Sequence, residues 1–286
     1  MVITNGGANG ADTITVMAGS SDLLAQPERL RNPATTGAAA FDVTNSYGFA
    51  AGDVIVVGDP TATPPKPCSV AQVSSVINST LVHAPGTYVD QYGKPQKTKY
   101  NGAVAGFPGY VAWVRGNNSG GRIISLGQTP TFVTYAVQNG QLTAMDSTAP
   151  ASSVVVADGI VQLKAQYGFD GDGNGRISAP TDVSMLNPLG SDQWADTVPA
   201  AMTPQQWSRI VAVRIAVVAR SVTPEKPNAS SGACETTLTG PRWFARNPTT
   251  PYNIDVSATS PIWGCYRYRV FETTIPLRNM AWFPQE

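Results

Sequence analysis

Charge is the first thing this chain lacks. Nineteen Lys plus Arg and nineteen Asp plus Glu make up only 13% of 286 residues and cancel to a formal net charge of zero. That charged share is about half the usual one. A balanced chain lacks the basic excess of a nucleic-acid binder, so no nucleic-acid partner is expected. The densest basic cluster is CYRYRVF, with Arg267 and Arg269. At i and i+2 in a strand these two share one solvated sheet face, which explains them better than a phosphate groove.

Histidine and cysteine are scarce too. One histidine, His83, and three cysteines, Cys68, Cys234 and Cys265, with no CxxC pair, do not assemble a zinc site. A Ser-His-Asp triad could form only through His83, with Ser119 of NNSGGR as nucleophile. LVHAPGTY lacks the apolar-Ala-Ala-His pattern of such a histidine, and NNSGGR reads as a glycine-rich hairpin loop. No GxSxG, Walker loop, GxGxxG or HExxH occurs. No enzyme is expected. Long hydrophobic runs are missing as well. IVAVRIAVVA, Ile210 to Ala219, is interrupted by Arg214 and falls short of the roughly 18–20 residues a bilayer-spanning helix needs. MVITNGGANGAD has neither the basic start nor the apolar middle of a signal peptide. Its glycines read like a cut point, after which an upstream segment is expected to have been removed.

What fills the space left by charge is Thr, Ser, Asn, Gln, Gly and Pro. That composition suits many short strands joined by turns. ADTITVMAG alternates into a strand, and GDVIVVGD is a buried-strand run. In CSVAQVSSV, Val70 and Gln72 share one face, and Ala71 and Val73 the other. With the proline-rich connector PTATPPKP, these pieces read as an N-terminal β-unit over residues 1–95. A C-terminal β-sheet unit over 96–286 follows. GYVAWVRGNNSGGRIISL reads as two strands about a loop. TFVTYAVQNGQLTAM is the clearest hairpin, with Asn139-Gly140 as its type I′ turn. GIVQLKAQYGF alternates Val161, Leu163, Ala165, Tyr167 and Phe169 against Gln162, Lys164 and Gln166. TPQQWSRI is the one good helix start: Thr203 as N-cap, Pro204 at the first helical position and Gln206 completing a capping box. VAVRIAVVARS and YRYRVFETTIPL read as strands. The fold class is mainly β (α+β): at least nine strands, one or two short helices, no repeats.

The strand GIVQLKAQYGF runs straight into FDGDGNGRIS. Calcium favours closely spaced oxygen ligands, and an EF-hand loop draws them from positions 1, 3, 5, 7, 9 and 12. Asp170, Asp172 and Asn174 match positions 1, 3 and 5, and Gly175 stands at the sharp turn. Arg176 offers a backbone carbonyl and Ser178 its hydroxyl. Thr181 stands where the last carboxylate belongs, and Asp182 comes one residue late. Over residues 170–182 two readings stay open: a calcium loop on a β scaffold, or a plain turn rich in Asp, Asn and Gly for backbone reasons. Asp158 in VADGI reads as a turn residue. Trp207, Trp243 and Trp263 serve either core packing or a sugar platform. Cys234 and Cys265 bracket a Thr-, Pro- and Asn-rich segment. A disulfide between them would close about 31 residues, worth ~3–4 kcal/mol, and would imply an oxidising compartment. Cys68 would then be a leftover thiol.

The C-terminal half, DGIVQLKAQYGFDGDGNGRI, WSRIVAVRIAVVARS and YRYRVFETTIPLRNMAW, resembles the PilW family of type IV pilus minor pilins. ADTITVMAGSSD, YGFAAGDVIVVGD and CSVAQVSSV fit the same family in order. The resemblance implies a pilin-like head of two antiparallel β-sheet units, related to pseudopilin J of type II secretion. It also implies an N-terminal helix, missing here, that anchors the full-length protein in the inner membrane. The implied role is structural: joining PilV, PilX and FimU or PilE types of minor pilin, and the major pilin, to prime assembly, and placing a PilY-type adhesin at the tip. The protein would sit at the periplasmic face of the inner membrane before assembly and on the pilus afterwards. A secreted, calcium-dependent glycan-binding β-domain is the other reading of the same residues.

Overall fold

The computed structural model describes residues 1–20, 27–31, 40–58, 69–101, 121–146, 153–200, 202–243 and 252–277. The chain opens with β1 (Val2–Thr4) and β2 (Thr13–Ala18). There follow β3 (Glu28–Arg29), β4 (Ala40–Asp42), β5 (Val54–Gly58), β6 (Ser69–Gln72), β7 (Ser75–Ile77), β8 (Thr80–Val82), β9 (Thr87–Val89), β10 (Pro95–Lys97) and β11 (Arg122–Ser125). Next come β12 (Thr131–Gln138), β13 (Gln141–Asp146), β14 (Ser153–Asp158), β15 (Ile160–Phe169), β16 (Thr181–Met185) and β17 (Gln193–Thr197). A short helix, α1 (Pro204–Ser208), leads into β18 (Ile210–Arg220). β19 (Arg242–Trp243), β20 (Tyr252–Asn253) and β21 (Tyr268–Pro276) complete the described elements, with two single 3₁₀ turns between β20 and β21. The protein is mainly β with almost no helix. Among the described residues, β16 pairs with β17 in parallel, whereas the ladders of β15 with β17 and β18, of β18 with β21 and of β13 with β12 and β14 are antiparallel.

The compact units do not divide near residue 95. One is Met17–Phe132, and the other joins Met1–Val16 to Val133–Glu286. The physical reason is strand pairing. β2 lies beside β12 in one sheet, which ties the first residues to the C-terminal part. β10 pairs with β9 across the expected boundary and keeps residues 87–97 together.

The unit Met17–Phe132 holds a four-stranded sheet, β3-β11-β5-β6, a three-stranded sheet, β4-β8-β7, and the β10-β9 ribbon. Its core gathers Phe41, Val43, Ile55, Val57, Ala71, Leu81 and Ile123. CSVAQVSSV is not one strand. It breaks at Val73 and Ser74, so β6 and β7 enter different sheets. Gln72 is buried at this corner, where its Nε2 donates to the Gly52 carbonyl (2.9 Å) and its Oε1 accepts from the Lys99 amide (2.8 Å). Asp53 is buried as well. Its carboxylate accepts from the Ala50 amide and the Ser125 hydroxyl, and burial holds its carboxyl above the ordinary range. Cys68 and residues 109–120, including Ser119, lie outside the described residues.

In the other unit, a five-stranded sheet β1-β2-β12-β13-β14 faces a second, β16-β17-β15-β18-β21. Their shared core sets Ile3 and Ile14 against Leu163, Ala165, Tyr167, Phe169 and Val213. The Tyr167 hydroxyl ties the layers by accepting from the Ile3 amide at 2.5 Å. The expected hairpin is present, with Gln138 opposite Gln141 and positive φ at Asn139 (52°) and Gly140 (75°). That is the geometry of a type I′ turn. The expected helix is present too. Thr203 Oγ1 accepts from the Gln206 amide at 3.2 Å, and Gln206 Oε1 accepts from the Thr203 amide at 2.8 Å.

β15 departs from its alternation in one informative way. All ten of its residues are buried. The ladder to β18 slips between Ile160 and Gln162, so Val161 is a bulge. Val161 therefore leaves the inter-sheet core and joins Ala216, Val218, Trp243, Ile254 and Val256. That cluster lies on the other face of the sheet, against the segment bracketed by the Cys234–Cys265 disulfide (Cα–Cα 4.6 Å). Gln162, Lys164 and Gln166 share that face and are buried on it.

Candidate functional site

The acidic loop grows out of the C-terminal end of β15. Asp170 is 0% exposed and caps the loop from within. Its Oδ1 accepts from the amides of Gly173 (2.7 Å) and Asn174 (3.2 Å), and its Oδ2 from Gly175 (2.6 Å). Asp172 accepts from the Asn174 amide (3.0 Å) and side chain (2.8 Å), and Asn174 Oδ1 accepts from the Arg176 amide (2.9 Å). Asp192, absent from the sequence reading, closes the ring: it accepts from the amides of Gly171 (2.8 Å) and Ser178 (2.5 Å). Carboxylate oxygens of Asp170, Asp172 and Asp192 lie within 4.8 Å of one another. A carboxylate oxygen has two lone pairs, so two amides fill Asp170 Oδ1, while Asp170 Oδ2 and the oxygens of Asp172 and Asp192, with one donor each, leave room for a further contact. Arg176 and Ser178 meet this cluster through their backbone amides.

Asp182 lies elsewhere. Its carboxylate pairs with Arg214 of β18. The cause is the parallel register of β16 on β17, which sets Asp182 opposite Trp194 and Thr181 opposite Gln193. The same pairing, with Thr181 N donating to the Asp192 carbonyl (3.0 Å), brings Asp192 beside the loop instead. No local signal marks Asp192, because only the strand pairing places it there.

Arg214 belongs to a buried polar layer on the covered face of the second sheet. It is 1% exposed. Its Nε and Nη2 donate to Gln166 Oε1 at 2.7 and 2.5 Å. The guanidinium carbon stands 4.6 Å from the Trp194 ring centroid and 5.4 Å from that of Trp243. Two aromatic faces and the Asp182 carboxylate offset the cost of burying this charge. Gln166 also donates to Asp196 Oδ1 at 2.5 Å. Nearby, Lys164 Nζ donates to the carbonyls of Gly7 and Gly10, each at 2.6 Å, and to Asp12 Oδ1 at 3.3 Å. The glycine-rich opening is thus a folded loop. Gly6 and Gly10 touch so closely that a Cβ on Gly10 would meet the Gly6 carbonyl oxygen at 2.3 Å.

The remaining residues singled out from sequence fall in varied surroundings. Asp158 ends β14 and accepts from Gln141 Nε2 at 2.7 Å, just before the Gly159 turn. Trp243 is core, Trp263 packs against the same cluster, and Trp207 is 42% exposed. His83 is buried and stacked on Phe41, with centroids 4.3 Å apart. Arg267 is exposed and pairs with Glu225 at 3.0 Å.

Two sheet edges carry exposed apolar side chains. On β14, Val154, Val155 and Val156 are 65%, 47% and 53% exposed, and on β21, Phe271 and Ile275 are 53% and 40%. Neither strand has an outer neighbour among the described residues. Open apolar edges of this kind are rare unless another chain covers them. Among the described residues, no helix is long and apolar enough to cross a membrane.

The geometry is that of a β-rich body with open edges and tightly knit loops. Residues 117–279, more than half of the chain, match the family model for the type IV pilus-assembly protein W, PilW. The chain belongs to the PilW family, whose role is type IV pilus assembly. Comparisons with curated proteins and with solved structures returned no match.

Proposed function

We propose that this chain is the non-catalytic, pilin-like head of a minor pilin that primes type IV pilus assembly. In this reading it binds other minor pilins of the PilV, PilX and FimU or PilE types, as well as the major pilin. With them it helps seat a PilY-type adhesin at the tip. It acts from the periplasmic face of the inner membrane before assembly and on the pilus afterwards. The family match over residues 117–279 carries the reading. The exposed edges of β14 and β21 support it, because an edge strand offers unpaired amides and carbonyls to an incoming chain. The test is a pull-down of mixed minor pilins with wild type, Val155→Lys and Phe271→Lys. Both side chains are exposed, so folding stability should shift by no more than about 0.5 kcal/mol. Loss of capture in either variant, with melting unchanged, is the expected result. Full capture by both would remove the edges from the interface.

We also propose that calcium occupies the acidic loop and stiffens it for contact with partner pilins. The close approach of Asp170, Asp172 and Asp192 favours this, since hard cations take clustered oxygen ligands. Asp192 takes the part first expected of Asp182. Calcium titrated calorimetrically into chelator-stripped protein should give heat and a rise in melting temperature. No heat and no shift would leave the loop as an amide-capped turn.

A further inference from the structure

A cavity of about 270 Å³ opens where the β12–β13 hairpin turn meets the C-terminal end of β18. Its described walls are Val137, Asn139, Gly140, Val161, Arg220 and Thr259, and Arg220 is the only charged residue among them. The Arg220 guanidinium carbon stands 4.6 Å from the Tyr266 ring centroid. Its Nη2 lies 3.9 Å from where a Cβ on Gly140 would stand, so the head group reaches the hairpin turn. The backbone amide of Arg220 donates to the Gly159 carbonyl at 2.9 Å. The guanidinium itself has no ion pair and no hydrogen-bond acceptor among the described residues. Asp158, just before the Gly159 turn, accepts from Gln141 Nε2 at 2.7 Å and does not line the cavity. A guanidinium presents five N–H donors in a rigid planar fork. The Tyr266 ring holds that fork in place and offsets part of its charge, but supplies no oxygen acceptor.

The wall chemistry selects the ligand. One cation and no carboxylate line the described walls, so a single negative charge is favoured. A carboxylate matches the guanidinium fork with two parallel N–H···O bonds. Val137 and Val161 give the site an apolar side, which suits a short hydrocarbon body better than a ring of hydroxyls. The volume lies just below the range of drug-sized ligand pockets, room for about one amino-acid residue. Asn139 is exposed at the turn, and its side-chain amide can donate to a ligand carbonyl. We infer that this cavity binds a monocarboxylate with a small apolar body, seated on Arg220. A free acid and the C-terminal residue of another chain carry that same chemistry. The inference stands apart from the assembly role: failure of either leaves the other intact.

The experiment follows the Gly140 amide resonance in proton–nitrogen spectra of the 286-residue chain. The probes are N-acetyl-leucine and a tetrapeptide ending in leucine, each as the free acid and as the C-terminal amide, at millimolar concentrations. Inorganic phosphate is the control. At least one acid should shift the resonance saturably, and the amides and phosphate should not. Tighter binding of the tetrapeptide acid assigns the site to a chain terminus, and equal or tighter binding of N-acetyl-leucine assigns it to a free acid. Arg220→Gln removes the charge and should weaken acid binding about tenfold or more. Arg220→Lys keeps the charge but loses the fork, and should weaken it as well if the first variant melts. A resonance unmoved by both acids overturns the inference. So does an equal shift by the amides, a shift by phosphate alone, or acid binding unchanged in the variants.

Discussion

His83 governs the response to acid. It is the only histidine in the chain, and burial pushes its imidazole down from 6.5 to about 4. The folded protein therefore keeps it neutral where the unfolded chain binds a proton. Stability is full above pH 6.5 and falls as pH drops from there toward about 4. Ordinary carboxylates titrate lower, at about 3.9–4.3. A loss of stability in the upper part of that window belongs to the imidazole, because a carboxyl held above its ordinary range, as Asp53 is, adds stability as pH falls. His83→Phe keeps an aromatic ring beside Phe41, and its melting temperature should no longer decline from pH 6.5 down to about 5, where wild type does. A variant that declines in parallel with wild type would refute the assignment. Arg214 is the other decisive residue. Arg214→Met strips a counter-charge from Asp182 and a donor pair from Gln166 inside the protein. Removing one partner of a buried pair costs about 3–5 kcal/mol. Urea unfolding should show a loss of that size, and adding Asp182→Asn should restore part of it.

At the level of elements, the β12–β13 hairpin isolates a backbone effect. Gly140 has φ of 75°. A Cβ there would meet nothing nearer than Arg220 Nη2 at 3.9 Å, so space is not the obstacle. Gly140→Ala should therefore cost only the left-handed penalty, about 1–2 kcal/mol, read from the denaturant midpoint. A neutral result would mean the turn relaxes to another type. The hairpin and α1 were legible in the sequence because their signals are local: Asn-Gly between alternating runs, and Thr203 three residues ahead of Gln206. β15 was legible only by half. Its period of two was visible, but a bulge at Val161 and a cover over Gln162, Lys164 and Gln166 were not. Polar residues at alternate positions look the same whether water or a folded segment meets them.

For the whole molecule, the Cys234–Cys265 disulfide holds down the segment that covers this polar face. It spans 31 residues and brackets Trp243, Ile254 and Val256 of the third core cluster. Replacing both cysteines with serine should cost about 3–4 kcal/mol in the chain-entropy model. Tryptophan emission should shift to the red if the cover loosens and water reaches Trp243. An unchanged melting temperature would show that packing alone holds the cover.

The amino-acid sequence by itself determined a β-rich chain, its hairpin turn, its capped helix, the Cys234–Cys265 spacing and the kinship with PilW. Each rests on periodicity, turn chemistry or an ordered string of motifs, all readable along one dimension. Tertiary structure alone decided that residues 1–16 join the C-terminal unit, that Asp192 and not Asp182 completes the acidic ring, and that Arg214 lies between two tryptophans. Those outcomes depend on which strand lies beside which. β2 beside β12 and β16 parallel to β17 are contacts between distant segments, and local preference assigns a strand its shape without naming its neighbour.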